Sequence, residues 1–366
     1  MNVDHLKDAF LDALGRTKPL AGAGVLWNDE VGALAWPART PAPDYIVEAH
    51  LPQGQPWLLL LTESRTGYPR DLEASVRRLQ EQLAFMRQRT EKPVDGVILA
   101  DALSPDSRTT LQAQRVGYFD SGGSLYLERE NLVILVDRPP PRVAKARMRS
   151  VFAPAREQVV HVLLHHGGDW ITSERLQQLS GSSPGTVSET LKELHQLDWL
   201  DVDVDGKKRL RKLSQPAKLL DAWVEHRKSR RDPAKRFYRW THHPKDLINH
   251  VASALFGSKT RYVLTGEAGA NLVEPFLTAT SEVTLSVVAG ERDQVASRLD
   301  LTEASEGSNV TLVERPGLAD FMFVQAVESQ PKIVVASPYV LYADLMAGKG
   351  RSKEAAAHLR ANDIGY

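Results

Sequence analysis

The sequence predicts a multidomain α/β protein: two sheet-and-helix blocks with a small helical unit and a hairpin between them. Three observations lead there. The chain has 366 residues, and single cores rarely grow past roughly 250–300. Strand-like and helix-like apolar patterns alternate through the first and last thirds, which argues for sheets covered by helices. The charge is also segregated. The 46 basic and 46 acidic side chains cancel over the whole chain. By segment, residues 1–140 hold 15 basic and 19 acidic side chains, 141–240 hold 20 and 12, and 241–366 hold 11 and 15. A basic block between two mildly acidic ones is the footprint of one domain that touches phosphate.

In the first block, Asp4 to Gly15 places Leu6, Ala9, Phe10, Ala13 and Leu14 on one helical face. Strands are expected at 24–28, 45–51 and 57–62. A long helix over 71–89 follows, with Leu72, Val76, Leu79, Leu83 and Met86 on one stripe. Strands at 96–99 and 132–136, with a helix over 105–115, complete the block. Arg138-Pro139-Pro140-Pro141-Arg142 reads as a stiff linker, because proline bars both helix and sheet pairing.

The middle block changes rhythm. A helix over 155–166 stops at Gly167-Gly168. A short one follows from Thr172 or Ser173 and ends at Gly181. A third starts at Ser183-Pro184, serine at the cap and proline in the first turn, with Val187, Leu191 and Leu194 buried. Trp199 to Val204 alternates apolar and acidic residues, Asp205-Gly206 turns, and 207–213 returns. Three helices and a hairpin in this order predict a winged helix-turn-helix, with Trp170 and Trp199 as packing residues.

In that motif the third helix enters the major groove and its outer side chains read base edges. Here those are Ser183, Thr186, Ser188, Glu189, Thr190 and Lys192. Lys207, Lys208, Arg209 and Arg211 of the hairpin would meet phosphate, and Arg142, Lys145, Arg147 and Arg149 would add contacts from the linker. Asp201, Asp203 and Asp205 keep open the alternative of a protein-binding adaptor. His226 to Pro233 reads as a second, charged linker. The last block is α/β again, with helices from Pro244, Pro338 and Ser352 and strands at 261–264, 283–288, 310–313 and 332–335.

Two enzymatic patterns are partly present. The order helix, three strands, long helix, strand is that of a metal-dependent nuclease core. There, Asp44 and an acid and lysine two residues apart would hold the cation and polarise water. The strand reads Leu61-Thr62-Glu63-Ser64-Arg65 and has no such pair. In the last block, Gly257-Ser258 could open a nucleotidyltransferase loop. The strand Glu282-Val283-Thr284-Leu285-Ser286 supplies one carboxylate where two-metal chemistry needs more. No enzyme, cofactor or metal site is expected. The chain lacks cysteine, shows no basic start with an apolar core at its head, and has no stretch of about 20 apolar residues. A cytoplasmic protein is expected.

These residues together resemble the AbiEi-type transcriptional regulators, antitoxins of type IV toxin–antitoxin systems, in the branch with a nuclease-like domain ahead of the winged helix. The resemblance rests on Gly67-Tyr68-Pro69-Arg70, Leu103-Ser104-Pro105 and Val116-Gly117-Tyr118-Phe119-Asp120 in the first block. In the middle it rests on Trp170-Ile171-Thr172 and Gly181 to Ser188. In the last it rests on Leu264-Thr265-Gly266, Asn309 to Leu312, Ser337 to Leu345 and Glu354-Ala355-Ala356. Where that branch often shows Val-Glu-Val-Lys, this chain has Leu61-Thr62-Glu63-Ser64.

The resemblance implies three domains. They are an inactive restriction-endonuclease-like domain at 1–140, a winged helix at 141–232, and a nucleotidyltransferase-like antitoxin domain at 233–366. It implies an autorepressor on double-stranded operator DNA near its own gene, opposed to a nucleotidyltransferase-like toxin. A homodimer is expected, since operator repeats reward paired reading heads.

Overall fold

A computed structural model describes residues 3–16, 24–26, 36, 41–49, 55–64, 67–129, 132–139, 151–206, 208–278, 280, 282–327 and 330–366. It is a mixed α/β architecture with three sheets. Two compact units are formed, residues 1–148 with 196–198, and residues 149–195 with 199–366.

The first unit is built on strands that follow one another in chain order. They are β1 (Gly24–Leu26), β2 (Tyr45–Ala49), β3 (Trp57–Ser64), β4 (Val94–Ala100), β5 (Gly117–Asp120), β6 (Leu125–Arg129) and β7 (Leu132–Val136). Pairing is parallel only for β3 with β4 and β4 with β5. The run Trp57 to Thr62 is wholly buried, as expected of a strand covered on both faces. Leu58 and Leu60 enter one core with Leu72, Val76, Leu79, Leu83 and Met86 of helix α2 (Pro69–Arg87). Trp57, Leu59 and Leu61 enter the other with Phe10 and Leu14 of helix α1 (Val3–Gly15). One helix therefore covers each face. Gly96 permits the close approach, since a Cβ there would lie 2.6 Å from Leu79 Cδ2. Strands β5 and β6 were not expected. Each is short, four and five residues, and neither alternates apolar with polar. The polyproline stretch runs into residues 140–150, outside the described residues.

The second unit opens with three helices, α3 (Pro154–His165), α4 (Ser173–Ser180) and α5 (Pro184–Gln196), with the two-residue strand β8 (Ile171–Thr172) before α4. The hairpin β9 (Leu200–Asp205) and β10 (Lys208–Leu213) follows, and β8 adds to β10 in a three-stranded antiparallel sheet. Trp199 packs inside, whereas Trp170 is 44% exposed. The correction has a simple cause, for Trp170 lies in the loop beyond Gly167-Gly168, ahead of the first residue that pairs.

The helix Pro216–Ser229 then leads into a sheet of seven described strands, Thr302–Glu303, Ala234–Tyr238, Val310–Arg315, Val283–Val288, Tyr262–Thr265, Gln330–Val335 and Gln325–Val327, in that spatial order. This helix overturns the charged linker expected from His226. Its buried stripe runs Leu220, Trp223, Arg227, and Arg227 is 6% exposed. The charges there belong to an interior.

That interior joins α3 to the sheet domain. His161 is fully buried, with Nδ1 2.8 Å from the Ala319 carbonyl and Nε2 2.7 Å from Ser337 Oγ. Tyr339 donates to the Leu164 carbonyl at 2.8 Å, and Trp223 Nε1 to Glu157 at 2.7 Å. The helix Pro338–Ala347, capped by Ser337 as proline at its first turn predicts, carries both Tyr339 and Asp344 into this seam.

Candidate nucleic-acid interface

The turn into α5 is set locally. Gly181 ends α4 with φ of +64°, a left-handed conformation that glycine takes without steric cost. Ser183 Oγ then accepts from the Thr186 amide at 3.2 Å and lies 2.9 Å from Thr186 Oγ1. Val187, Thr190, Leu191 and Leu194 face inward, while Ser188, Glu189 and Lys192 are exposed. Thr190 thus departs from the expected reading face. It is fully buried and donates to the Thr186 carbonyl at 2.8 Å, so its hydroxyl is used inside the helix. Glu189 is exposed but ion-paired with Arg156 of α3.

The hairpin register sorts its charges, because directly paired residues project to the same face. Asp205 pairs with Lys208, Asp203 with Leu210 and Asp201 with Lys212. Val204 pairs with Arg209 and Val202 with Arg211, on the face that begins with buried Leu200 and Leu213. All three aspartates therefore share one face with Lys208 and Lys212, which they oppose. Arg209 and Arg211 occupy the other face, beside half-exposed Val202 and Val204 and free of acids across the strand. Arg211 Nη1 donates to the Arg209 carbonyl at 2.6 Å. Partial burial and then Arg209 push the Arg211 pKa down. Lys207, and Arg142, Lys145, Arg147 and Arg149, lie outside the described residues.

The second unit also holds a buried charge network, part of it in the segment expected to be a charged linker. Arg227 meets Asp320 in a two-pronged pair at 2.7 and 3.0 Å, and Asp344 at 3.0 Å. Arg315 reaches Asp232 and Asp344 at 2.7 Å each and Asp320 at 2.9 Å. Arg230 bridges Glu157 of α3 at 2.9 Å and Asp232 at 2.6 Å. Burial pushes the Asp320 carboxyl up, but the Arg227 and Arg315 guanidiniums beside it hold it well below the usual carboxylate range. Burial likewise opposes the charge on Arg227, and Asp320 and Asp344 more than restore it. Such a web holds helix α3 against the sheet domain. The signal for it was in the sequence: an arginine at the third step of the stripe Leu220, Trp223, Arg227 has to be paired once buried.

In the first unit, Asp44 Oδ2 accepts from the Glu63 amide and from Arg78 Nη2, both at 2.8 Å. Thr62 Oγ1 donates to Gln82 Oε1 at 2.8 Å in the interior. Among the described residues, no group of three or more His, Asp or Glu gathers to hold a metal ion. None of their helices is long and apolar enough to cross a membrane.

The family comparison falls on the second unit. Residues 212–364 match the AbiEi antitoxin family. The family is described as a transcriptional regulator, the antitoxin of a type IV toxin–antitoxin system. The AbiEi match begins on the returning strand of the hairpin. It takes in Arg227, Arg230, Asp232, Arg315, Asp320 and Asp344, while the three helices with Glu157 precede it. Among solved structures, the crystal structure of NolR from Sinorhizobium fredii aligns at 18% identity and a TM-score of 0.19, over 25% of this chain and 94% of that one. No curated protein matches the chain.

Proposed function

We propose that this chain is a sequence-specific, DNA-binding transcriptional regulator and the autorepressing antitoxin of a type IV toxin–antitoxin system. In this reading, residues 150–215 are a winged helix and α5 enters the major groove of operator DNA near the chain's own gene. One observation carries it: the hairpin beside α5 separates Arg209 and Arg211 from its aspartates. A cationic face turned away from the hairpin's own aspartates, with Glu174 of α4 acting on Arg211 alone of the two arginines, is what a wing needs against phosphate. Ser188 and Lys192 are the exposed candidates for base or phosphate contact, with Ser183 and Thr186 at the helix start. The protein acts as a homodimer in the cytoplasm, opposed to a nucleotidyltransferase-like toxin, and the AbiEi match over the last two-fifths of the chain supports that role. The domain at 1–140 is nuclease-like in ancestry, and the one at 233–366 nucleotidyltransferase-like.

The protein performs no catalysis in this proposal. Asp44 is already engaged by a guanidinium and an amide, and a metal would have to displace Arg78. A protein-binding adaptor remains the second reading, favoured by the acidic face of Asp201, Asp203 and Asp205.

Fluorescence anisotropy on the chain's upstream DNA, with random competitor, two salt concentrations and magnesium present, separates the readings. Tight binding that resists competitor and leaves the DNA intact supports the regulator. Affinity no better than for random DNA refutes sequence-specific regulation, absence of salt-sensitive binding favours the adaptor, and cut DNA revives the nuclease.

A further inference from the structure

A cavity of about 620 Å³ opens where the end of α4 faces the sheet domain, within the second unit. That volume falls in the range of small-molecule sites. Its walls are largely apolar, with Leu179 and Gly181 from the helix-turn-helix, and Leu255, Phe321, Met322 and Val334 from the sheet domain. Among the described residues, Arg261 is the single charged one in its lining. Lys332, beyond the lining, places its ammonium 5.9 Å from the ring of Phe256 at the wall. No carboxylate of the described residues lines it. Tyr262 lines it as well and is 7% exposed, yet among the described residues its hydroxyl has no hydrogen-bond partner, nor has that of Ser258. A buried hydroxyl left unpaired costs of the order of 1–3 kcal/mol. Burial pushes the tyrosine pKa up, so the group is a neutral donor.

We propose that this cavity is a binding site for a small aryl anion, whose ring lies among the apolar walls and whose acid group meets Arg261 and the hydroxyl of Tyr262. Each part follows from the lining. Apolar walls select a ring or chain, the lone cation selects an anion over a cation, and an unpaired donor inside selects an acceptor. The site touches Leu179, Ser180 and Gly181, the residues that end α4 and open the turn into α5. A ligand there bears directly on the position of α5. Where α5 reads DNA, as proposed above, occupancy changes affinity for the operator. The ligand site itself stands without that reading.

The test uses the full chain and two probes, the fluorogenic aryl anion 8-anilinonaphthalene-1-sulfonate and 1-naphthoate as its non-fluorescent competitor. Tyr262→Phe removes only a hydroxyl that bonds to nothing in the described fold, so the fold is kept. Arg261→Gln changes an exposed side chain. The expected result is one probe molecule per chain, displaced by naphthoate, with affinity about tenfold weaker in either variant. Probe affinity that both variants leave unchanged overturns the site. Binding is measured without DNA, so a chain that binds no DNA would sink the regulatory reading and leave the site standing. In a chain that does bind, operator affinity unmoved by saturating naphthoate would refute the link to α5.

Discussion

Lowering the pH from 7 to 5 should destabilise the second unit through His161. Burial holds its imidazole down to about 4 against an ordinary 6.5, although the Ala319 carbonyl and Asp320 pull the other way. The geometry agrees with a neutral ring, in which Nδ1–H donates to the Ala319 carbonyl and Nε2 accepts from Ser337. A neutral histidine in the folded state and a protonated one in the unfolded state mean that the unfolded chain binds more protons between these values. The stabilisation is therefore complete above pH 6.5 and lost as pH falls toward 4. Integrating two ionisations at 6.5 and 4 gives a loss of about 2 kcal/mol between pH 7 and pH 5, and about 3 kcal/mol in all. Trp223, whose ring centroid lies 5.4 Å from that of His161, reports the event. Urea unfolding followed by its fluorescence at pH 7, 6 and 5 would be compared between the wild type and His161→Gln. Glutamine keeps a donor and an acceptor but cannot titrate. The difference between the two pH profiles isolates His161 from the other histidines, and identical profiles would refute the argument.

Further perturbations test the remaining structural claims. Arg227→Met takes from Asp320 its two-pronged partner and from Asp344 one of its two guanidiniums, and should cost about 3–5 kcal/mol in urea unfolding. A loss under 1 kcal/mol would mean the network is not holding the seam. Gly96→Ala drives a methyl to 2.6 Å from Leu79 and should destabilise the first unit by about 1–3 kcal/mol, read as a fall in its melting temperature. On the hairpin, Arg209→Ala and Arg211→Ala should each flatten the salt slope of DNA binding by about one counterion, while Lys208→Ala, opposite Asp205, changes it less. Equal effects of all three would deny the two-faced hairpin. Thr190→Val should cost stability of about 1 kcal/mol and leave sequence preference unchanged, since its hydroxyl faces the Thr186 carbonyl. A change of preferred operator would return it to the reading face.

Much of the local structure was readable from short-range rules. Ser183-Pro184, Gly181 and the stripe Val187, Leu191, Leu194 placed α5, because caps, breakers and 3.6-residue periodicity act within a few residues. Asp205-Gly206 placed the hairpin, whose register then follows from the two-residue turn. The long helix came out two residues early at each end, 69–87 against 71–89, with Pro69 at its first turn. Elements without local punctuation were missed, among them β5 and β6, the strand Ala234–Tyr238 and the edge strand Gln325–Val327, which exist because a neighbour offers them a ladder.

What the sequence by itself determined is the order of the main helices and of the hairpin, the segregated charge, and Ser188, Glu189 and Lys192 as outward residues of α5. Those properties are written in nearest neighbours along the chain. Only the tertiary structure decided that Thr190 turns inward and that the hairpin aspartates and arginines face opposite ways. Only it showed that the charges around Arg227 form an interior rather than a linker. Arg227 lies 93 residues from Asp320 and 117 from Asp344. A charge among apolar neighbours declares that it needs a partner, and chain folding over such separations is what names the partner.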